Sequence, residues 1–222
     1  MINWIKNLLS FIVTRFFNYK ILFGKNDLVK FDPKIFINLK KIESEKYRFS
    51  TLESIKDKKI NTILDFGANY GFDTYVFKAY FPDSKITLYD IDKNIMFYLS
   101  KINNIFFDNS LELLNKKAFN LISSKNNCYD LIYSNAVLLY VNKKEVKILL
   151  KKFIRMSRKY IVLHELNSEK NFSIMETAYY IHKFVKIIHS INPKIKINRE
   201  KTKKPGYPWN KYGSVIILSN FK

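Results

Sequence analysis

Residues Thr62 to Phe77 read TILDFGANYGFDTYVF. Ile63 and Leu64 form an apolar run that Asp65 and Gly67 break, and after Gly71 the chain can coil again. The pattern predicts a strand over Thr62–Phe66, a tight turn, and a helix over Thr74–Phe81. In an open α/β sheet such a unit forms a ligand crevice at the carboxyl ends of the strands. A dinucleotide-binding G-x-G-x-x-G array starting at Gly67 would need glycine where Asn69 and Phe72 stand. The phosphate loop G-x-x-x-x-G-K-[ST] is missing as well. Both phosphate-binding readings fail, which leaves some other nucleotide or no ligand at all.

Working outward, KITLYDID (Lys85–Asp92) reads as a second strand after Pro82-Asp83, with a helix over Lys93–Lys101. The third strand is either NIFFD (Asn104–Asp108) or AFNLISS (Ala118–Ser124). YDLIYSNAVLLYV (Tyr129–Val141) is a strand opening into a turn, followed by a helix over Lys144–Ser157 and the strand KYIVLHEL (Lys159–Leu166). A helical pattern runs from Phe172 to Ile191 and stops before Pro193. KIKINRE (Lys194–Glu200) and GSVIILSNF (Gly213–Phe221) follow, with no helix predicted between them. Alternating strands and helices imply a doubly wound α/β fold. The expected sheet has seven mainly parallel strands, an antiparallel last strand, and helices on both faces. The expected organisation is an N-terminal segment over residues 1–59 and one domain over 60–222.

Composition narrows the chemistry. One cysteine, Cys128, excludes an internal disulfide or a multi-cysteine zinc site, and suits a reducing, cytoplasmic setting. His164, His182 and His189 lack metal-ligand spacing, so no metal site is expected. The formal charge is +20, yet only five of the 39 basic residues are arginine. Lysine spread evenly over a surface gives solubility and weak attraction to polyanions, whereas arginine is the better fork for phosphate. A nucleic-acid partner is therefore possible but not favoured.

The N-terminus places Ile5, Leu8, Leu9, Ile12, Val13, Phe16 and Phe17 at helical spacing. Lys6, Arg15 and Lys20 interrupt it short of the ~20 apolar residues of a membrane span. No small-x-small cleavage site follows it. The expectation is a helix packed on the domain, with Ile5, Leu9, Ile12 and Phe16 buried. Peripheral contact of residues 1–23 with an anionic membrane is the alternative.

The array Asp65-x-Gly67-x-Asn69-x-Gly71 resembles the first motif, D-x-G-x-G-x-G, of the class I S-adenosylmethionine-dependent methyltransferases. Asn69 replaces the central glycine, a mild departure because Asn tolerates the left-handed conformation. The acid Asp90, 25 residues after Asp65, ends the second strand as the family's second motif does. CYDLIYSNAVLLYV (Cys128–Val141) resembles the fourth-strand motif, with Asp130 matching its acid. The resemblance implies S-adenosyl-L-methionine as cofactor, held by Asp65, Gly67, Ala68, Asn69 and Gly71. It implies Asp90, with Ile91, at the ribose, and Asn135 and Ala136 beside the cofactor where the fourth strand opens. Asp108 would be the adenine-side acid if NIFFD is the third strand.

Methyl transfer from a sulfonium demands alignment of the acceptor and exclusion of water, with a base where the acceptor is a hydroxyl. His164 and Glu165, at the end of the fifth predicted strand, are the candidate catalytic residues. Alternation sends them to opposite faces, and His164 is preferred for its ordinary pKa near 6.5. Tyr207, Trp209 and Tyr212 are candidates for an acceptor wall. There is no N-P-P-[YF] after the fourth strand and no Pro-Cys nucleophile. By elimination the reading is O-methylation of a small molecule or a saccharide. An RNA methyltransferase using the lysine-rich surface and a non-catalytic binding module are the alternatives.

Overall fold

In the computed structural model of the protein, the structure describes residues 47–69, 71–107, 109–169, 172–174 and 179–221. The predicted N-terminal helix lies outside these residues. Residues 47–222 form one compact unit. The elements, labelled over the described residues, begin with a short helix α1 (Tyr47–Ser50) and a single 3₁₀ turn at Glu53–Ile55. Leu52, Ile55 and Ile60 pack into the same core as Ile63 and Phe77, so this lead-in is built into the sheet layer.

The first wound unit is β1 (Thr62–Phe66), α2 (Phe72–Tyr80), β2 (Lys85–Tyr89), α3 (Lys93–Phe107) and β3 (Glu112–Leu114). Next come α4 (Lys116–Ile122), β4 (Tyr129–Asn135), a 3₁₀ turn at Leu138–Tyr140, α5 (Lys143–Met156) and β5 (Ser157–Leu166). A small hairpin pairs β6 (Phe172–Ile174) with β7 (Tyr179–Ile181). The chain then runs through α6 (Phe184–His189), β8 (Lys196–Lys201), α7 (Trp209–Tyr212) and β9 (Gly213–Ser219).

Seven strands order as β3-β2-β1-β4-β5-β9-β8. β1 is parallel to β2 and to β4, and β4 to β5, whereas β9 runs antiparallel to both β5 and β8. The expected doubly wound sheet with an antiparallel last strand is what the chain forms. The winding reverses between β1 and β4, and that switch point opens a crevice at their carboxyl ends.

Strand alternation divides the core cleanly. Leu64, Ile132, Leu163 and Ile216 face α4, α5 and α6. Ile63, Leu131, Val162 and Val215 face α2 and α3. Central strands are covered on both faces, so they read as continuous apolar runs. Helix α5 buries Val146, Leu150, Phe153 and Met156 at helical spacing. Its first turn is capped by the Asn142 side chain, which accepts from the N–H groups of Lys144 and Glu145 at 3.1 Å each.

Two sequence expectations are corrected. Neither candidate for the third strand forms one: residues 104–107 end α3, and Ala118–Ile122 lie in α4. The strand is Glu112–Leu114, too short and too mixed to carry a period-two signal. The helix expected from Phe172 to Ile191 is instead the β6–β7 hairpin followed by α6. Within α6, Phe184 and Ile188 bury at i, i+4 spacing. The aromatic and β-branched run Tyr179-Tyr180-Ile181 takes the extended conformation such residues favour.

Candidate functional site

The β1–α2 turn is built from three residues with positive φ: Gly67 at 79°, Asn69 at 46° and Gly71 at 76°. Gly67 cannot be replaced without disturbance, because a Cβ there would stand 2.2 Å from Val137 Cγ2. The turn is thus pressed against the chain leaving β4. It is also tied to β2: the N–H groups of Gly67 and Ala68 donate to the Tyr89 carbonyl at 2.7 and 3.0 Å.

Asp90 stands one residue past β2. Its Oδ2 accepts from the Asn69 N–H at 3.0 Å, and its Oδ1 from the Asp92 N–H at 3.0 Å. Each carboxylate oxygen keeps a further acceptor site. Ile91 beside it is 73% exposed, an apolar side chain at the rim of the crevice.

Asp65, at the end of β1, is buried, and its Oδ2 has no hydrogen-bond partner among the described residues. Burial pushes its carboxyl well above the usual range; the charges of Asp73 and Asp90 add to this, and the Arg48 guanidinium opposes it. Arg48 lies on α1, and its Nη1 donates to both oxygens of Asp73 at 2.9 Å.

From Asp73 a chain of hydrogen bonds crosses the sheet edge. Asn135 Nδ2 donates to Asp73 Oδ2 at 3.0 Å, so its Oδ1 is the acceptor facing His164 Nδ1 at 2.8 Å. His164 Nδ1 therefore carries the proton, and Nε2 accepts from the Thr202 hydroxyl at 2.6 Å. Trp209 and Tyr47 flank the imidazole, with ring centroids 4.8 and 5.3 Å away. His164 has no exposed surface, and burial, with Lys204 and Arg48 nearby, pushes its pKa down to about 3. The preferred base of the sequence reading is here a neutral imidazole with both nitrogens in use.

Glu165 points to the opposite face, as alternation requires. Its Oε1 accepts from Ser134 Oγ at 2.9 Å and from the N–H groups of Val137 and Leu138 at 3.0 Å each. It caps the 3₁₀ turn that follows β4. Burial raises its pKa to about 7 against the opposing pull of these donors, and Oε2 has no partner among the described residues. Ala136, between the two, holds φ at 59°, and its N–H donates to the His164 carbonyl at 3.0 Å. A non-glycine residue in that region costs ~1–2 kcal/mol, a strain that gathers at functional sites.

Asp108 lies outside the described residues, and the strand on which its role depended is Glu112–Leu114. β3 leads instead into Asn115, whose side chain caps α4 by accepting from the Ala118 N–H at 2.9 Å. Asp130 sits at the amino end of β4, where Arg158 and Lys159 pair with it at 3.0 and 3.2 Å. Of the predicted wall, Trp209 is buried beneath the Lys204 ammonium at 4.0 Å, whereas Tyr207 is exposed. Arg48, Asp73 and Thr202 were not singled out from the sequence. Only Asp73, an acid in the first turn of α2, carries even a weak local signal.

No family model matches this sequence, and no curated protein matches it. Solved structures do match the fold. A SAM-dependent methyltransferase from Aquifex aeolicus superposes with a TM-score of 0.55 at 19% identity, over 85% of this chain and 98% of that one. Magnesium protoporphyrin IX methyltransferase from Synechocystis PCC 6803, solved with bound SAM, gives 0.58 at 14% identity, over 95% and 93%. The CurJ carbon methyltransferase gives 0.55 at 13% identity over 80% of this chain, which spans 57% of that structure's length. The chain has the class I methyltransferase fold. The β1–α2 turn and the end of β2 lie side by side at the carboxyl ends of adjacent parallel strands, where open α/β sheets bind ligands. Among the described residues, no helix is long and apolar enough to cross a membrane.

Proposed function

We propose that the protein is an S-adenosylmethionine-dependent methyltransferase acting on an oxygen of a small molecule or a saccharide. The observation that carries this reading is the junction of the β1–α2 turn with Asp90, where the Asn69 N–H holds the Asp90 carboxylate and a buried Asp65 oxygen has no partner among the described residues. The residues fit the group. Asp90 retains acceptor capacity for a ribose diol, and Asp65 Oδ2 lacks the donor that an ammonium would supply. Gly67 and Gly71 carry no side chain at the two ends of the turn, and Ile91 offers an apolar flank.

When bound, S-adenosylmethionine supplies a methyl group on a sulfonium that needs no further activation. The protein's own part is to bind, to orient and to exclude water. The Arg48–Asp73–Asn135–His164–Thr202 chain fixes the floor between β4 and β9, and Glu165 fixes the turn above β4. In this reading His164 and Glu165 are positioning residues. The lower barrier comes from a preformed rim rather than from a proton taken up by the imidazole.

Titration calorimetry with S-adenosylmethionine and S-adenosylhomocysteine tests the proposal. One binding site, weakened in Asp90→Ala, is expected; no binding of either compound would leave the fold as a non-catalytic module. The acceptor class is read by incubating the protein with labelled S-adenosylmethionine and hydroxyl-bearing small molecules and saccharides. Transfer only to RNA would overturn the assignment of substrate.

A further inference from the structure

The positive charge is not spread evenly, as composition alone had implied. Segments 115–128, 142–156 and 183–195, which form the α4–α5–α6 layer, hold twelve Lys or Arg and a single acid, Glu145. Segments 47–61, 71–84 and 92–107, on the other side of the sheet, hold seven bases and five acids. Two layers of comparable size thus differ by an almost unopposed basic face.

The basic face also carries bare aliphatic surface. Leu121 on α4 is 63% exposed and Ile148 on α5 is 56% exposed. A shallow hollow on α4 is lined by Lys116, Lys117, Asn120, Leu121 and Ser124, joining two ammonium groups to an apolar side chain. At the end nearest the crevice, Tyr140 is 64% exposed just before the cap of α5. We propose that the α4–α5–α6 face docks the protein on a lipid bilayer with anionic headgroups, bringing the crevice rim to the membrane surface.

Chemistry selects a bilayer over nucleic acid. Eleven of the twelve bases are lysine, and Arg155 spends its Nη2 on the Ser123 carbonyl at 2.5 Å. Phe119, Phe153 and Phe184, the aromatic residues of these helices, are all buried, so the face offers Tyr140 at one end rather than a row of rings for base stacking. Lysines give diffuse attraction to an anionic leaflet, while aliphatic and tyrosine side chains enter the interface. A surface built for phosphate forks and bases would show arginine and exposed aromatics.

The test is co-sedimentation of the full chain with vesicles of phosphatidylcholine alone and of phosphatidylcholine with phosphatidylglycerol. Wild type should bind only the anionic vesicles. Lys147→Glu/Lys151→Glu, on α5, should weaken that binding about tenfold or more, since each lysine near an anionic surface contributes appreciably. Lys58→Glu/Lys78→Glu, with the same change of charge on the opposite layer, should stay within a few-fold of wild type. Circular dichroism melts confirm that both variants fold. Failure of wild type to bind anionic vesicles overturns the proposal. Equal losses in the two variants would reduce it to net charge, and no loss in the α5 variant would place the contact elsewhere, including residues 1–23. Binding of RNA that the α5 variant loses, without vesicle binding, would assign the face to nucleic acid.

Discussion

The Asn69 N–H donates to Asp90 Oδ2 at 3.0 Å, joining the turn after β1 to the end of β2 through one side chain. Asp90 therefore shapes the crevice before any ligand arrives. Asp90→Ala should loosen the turn and remove the proposed ribose acceptor together, whereas Asp90→Asn keeps an oxygen for the Asn69 N–H. For the alanine variant we expect a loss of at least ~1.5–3 kcal/mol in S-adenosylhomocysteine affinity, the range for hydrogen bonds to a charged group. The asparagine variant should fall between. Calorimetry returning equal affinities for wild type and Asp90→Ala would remove Asp90 from the site.

Gly67 offers a second handle on the same turn. A methyl group there meets Val137 Cγ2 at 2.2 Å, and φ at 79° is unfavourable for any L side chain. Gly67→Ala should cost ~1–2 kcal/mol for the backbone alone, with the clash added. Adding Val137→Ala should recover only the steric part. Urea unfolding of the single and double variants separates the two contributions. A single variant as stable as wild type would show that the turn relaxes away from β4.

What could be read in the sequence follows from where the signals are local. β1, β2, β4 and β5 are buried on both faces, so Ile63-Leu64 or Ile161-Val162-Leu163 stand out as apolar runs. The turn Asp65–Gly71 and Asp90 are contiguous patterns at fixed offsets. β3 failed because three residues at Glu112–Leu114 hold no period, and the apolar residues around it belong to helices. The network on His164 was illegible for another reason. Its partners Asn135 and Thr202 are 29 and 38 residues away, and only the antiparallel insertion of β9 brings the loop bearing Thr202 to the rim.

Asp130 separates motif from site. It matches the fourth-strand acid of the family, yet it lies at the amino end of β4, is buried, and is paired with Arg158 and Lys159. It also accepts from the Asn61 N–H at 2.8 Å, tying the start of β1 to β4. Asp130→Asn should lower stability by ~1–3 kcal/mol through weakened charge-assisted bonds. Cofactor affinity, measured by calorimetry below the new melting temperature, should not change. A selective loss of affinity would place Asp130 in the site after all.

Two buried groups at the rim respond to pH with opposite sign. Glu165 is raised from 4.5 to about 7, so the folded protein holds a proton there that the unfolded chain releases. Its contribution is fully present below pH 4.5 and is lost as pH rises through about 7. His164 is lowered from 6.5 to about 3, and His182 is also lowered by burial. Their contribution is present above pH 6.5 and is lost as pH falls, for His164 down to about 3. Between pH 4.5 and 6.5 the wild-type protein should show a flattened stability profile, because the slopes oppose one another. Glu165→Gln keeps the Oε1 acceptor for Ser134, Val137 and Leu138 and places an uncharged amide where Oε2 has no partner. Relative to wild type, this variant should gain about 2 kcal/mol on going from pH 5 to pH 8. Below pH 6.5 the variant's own stability should fall more steeply than that of wild type, because Glu165 no longer opposes the histidine slope while the raised Asp65 carboxyl acts alike in both. Urea unfolding across that range measures both. A pH-independent difference between the two proteins would mean that Glu165 is ionised throughout, with its three donors outweighing burial.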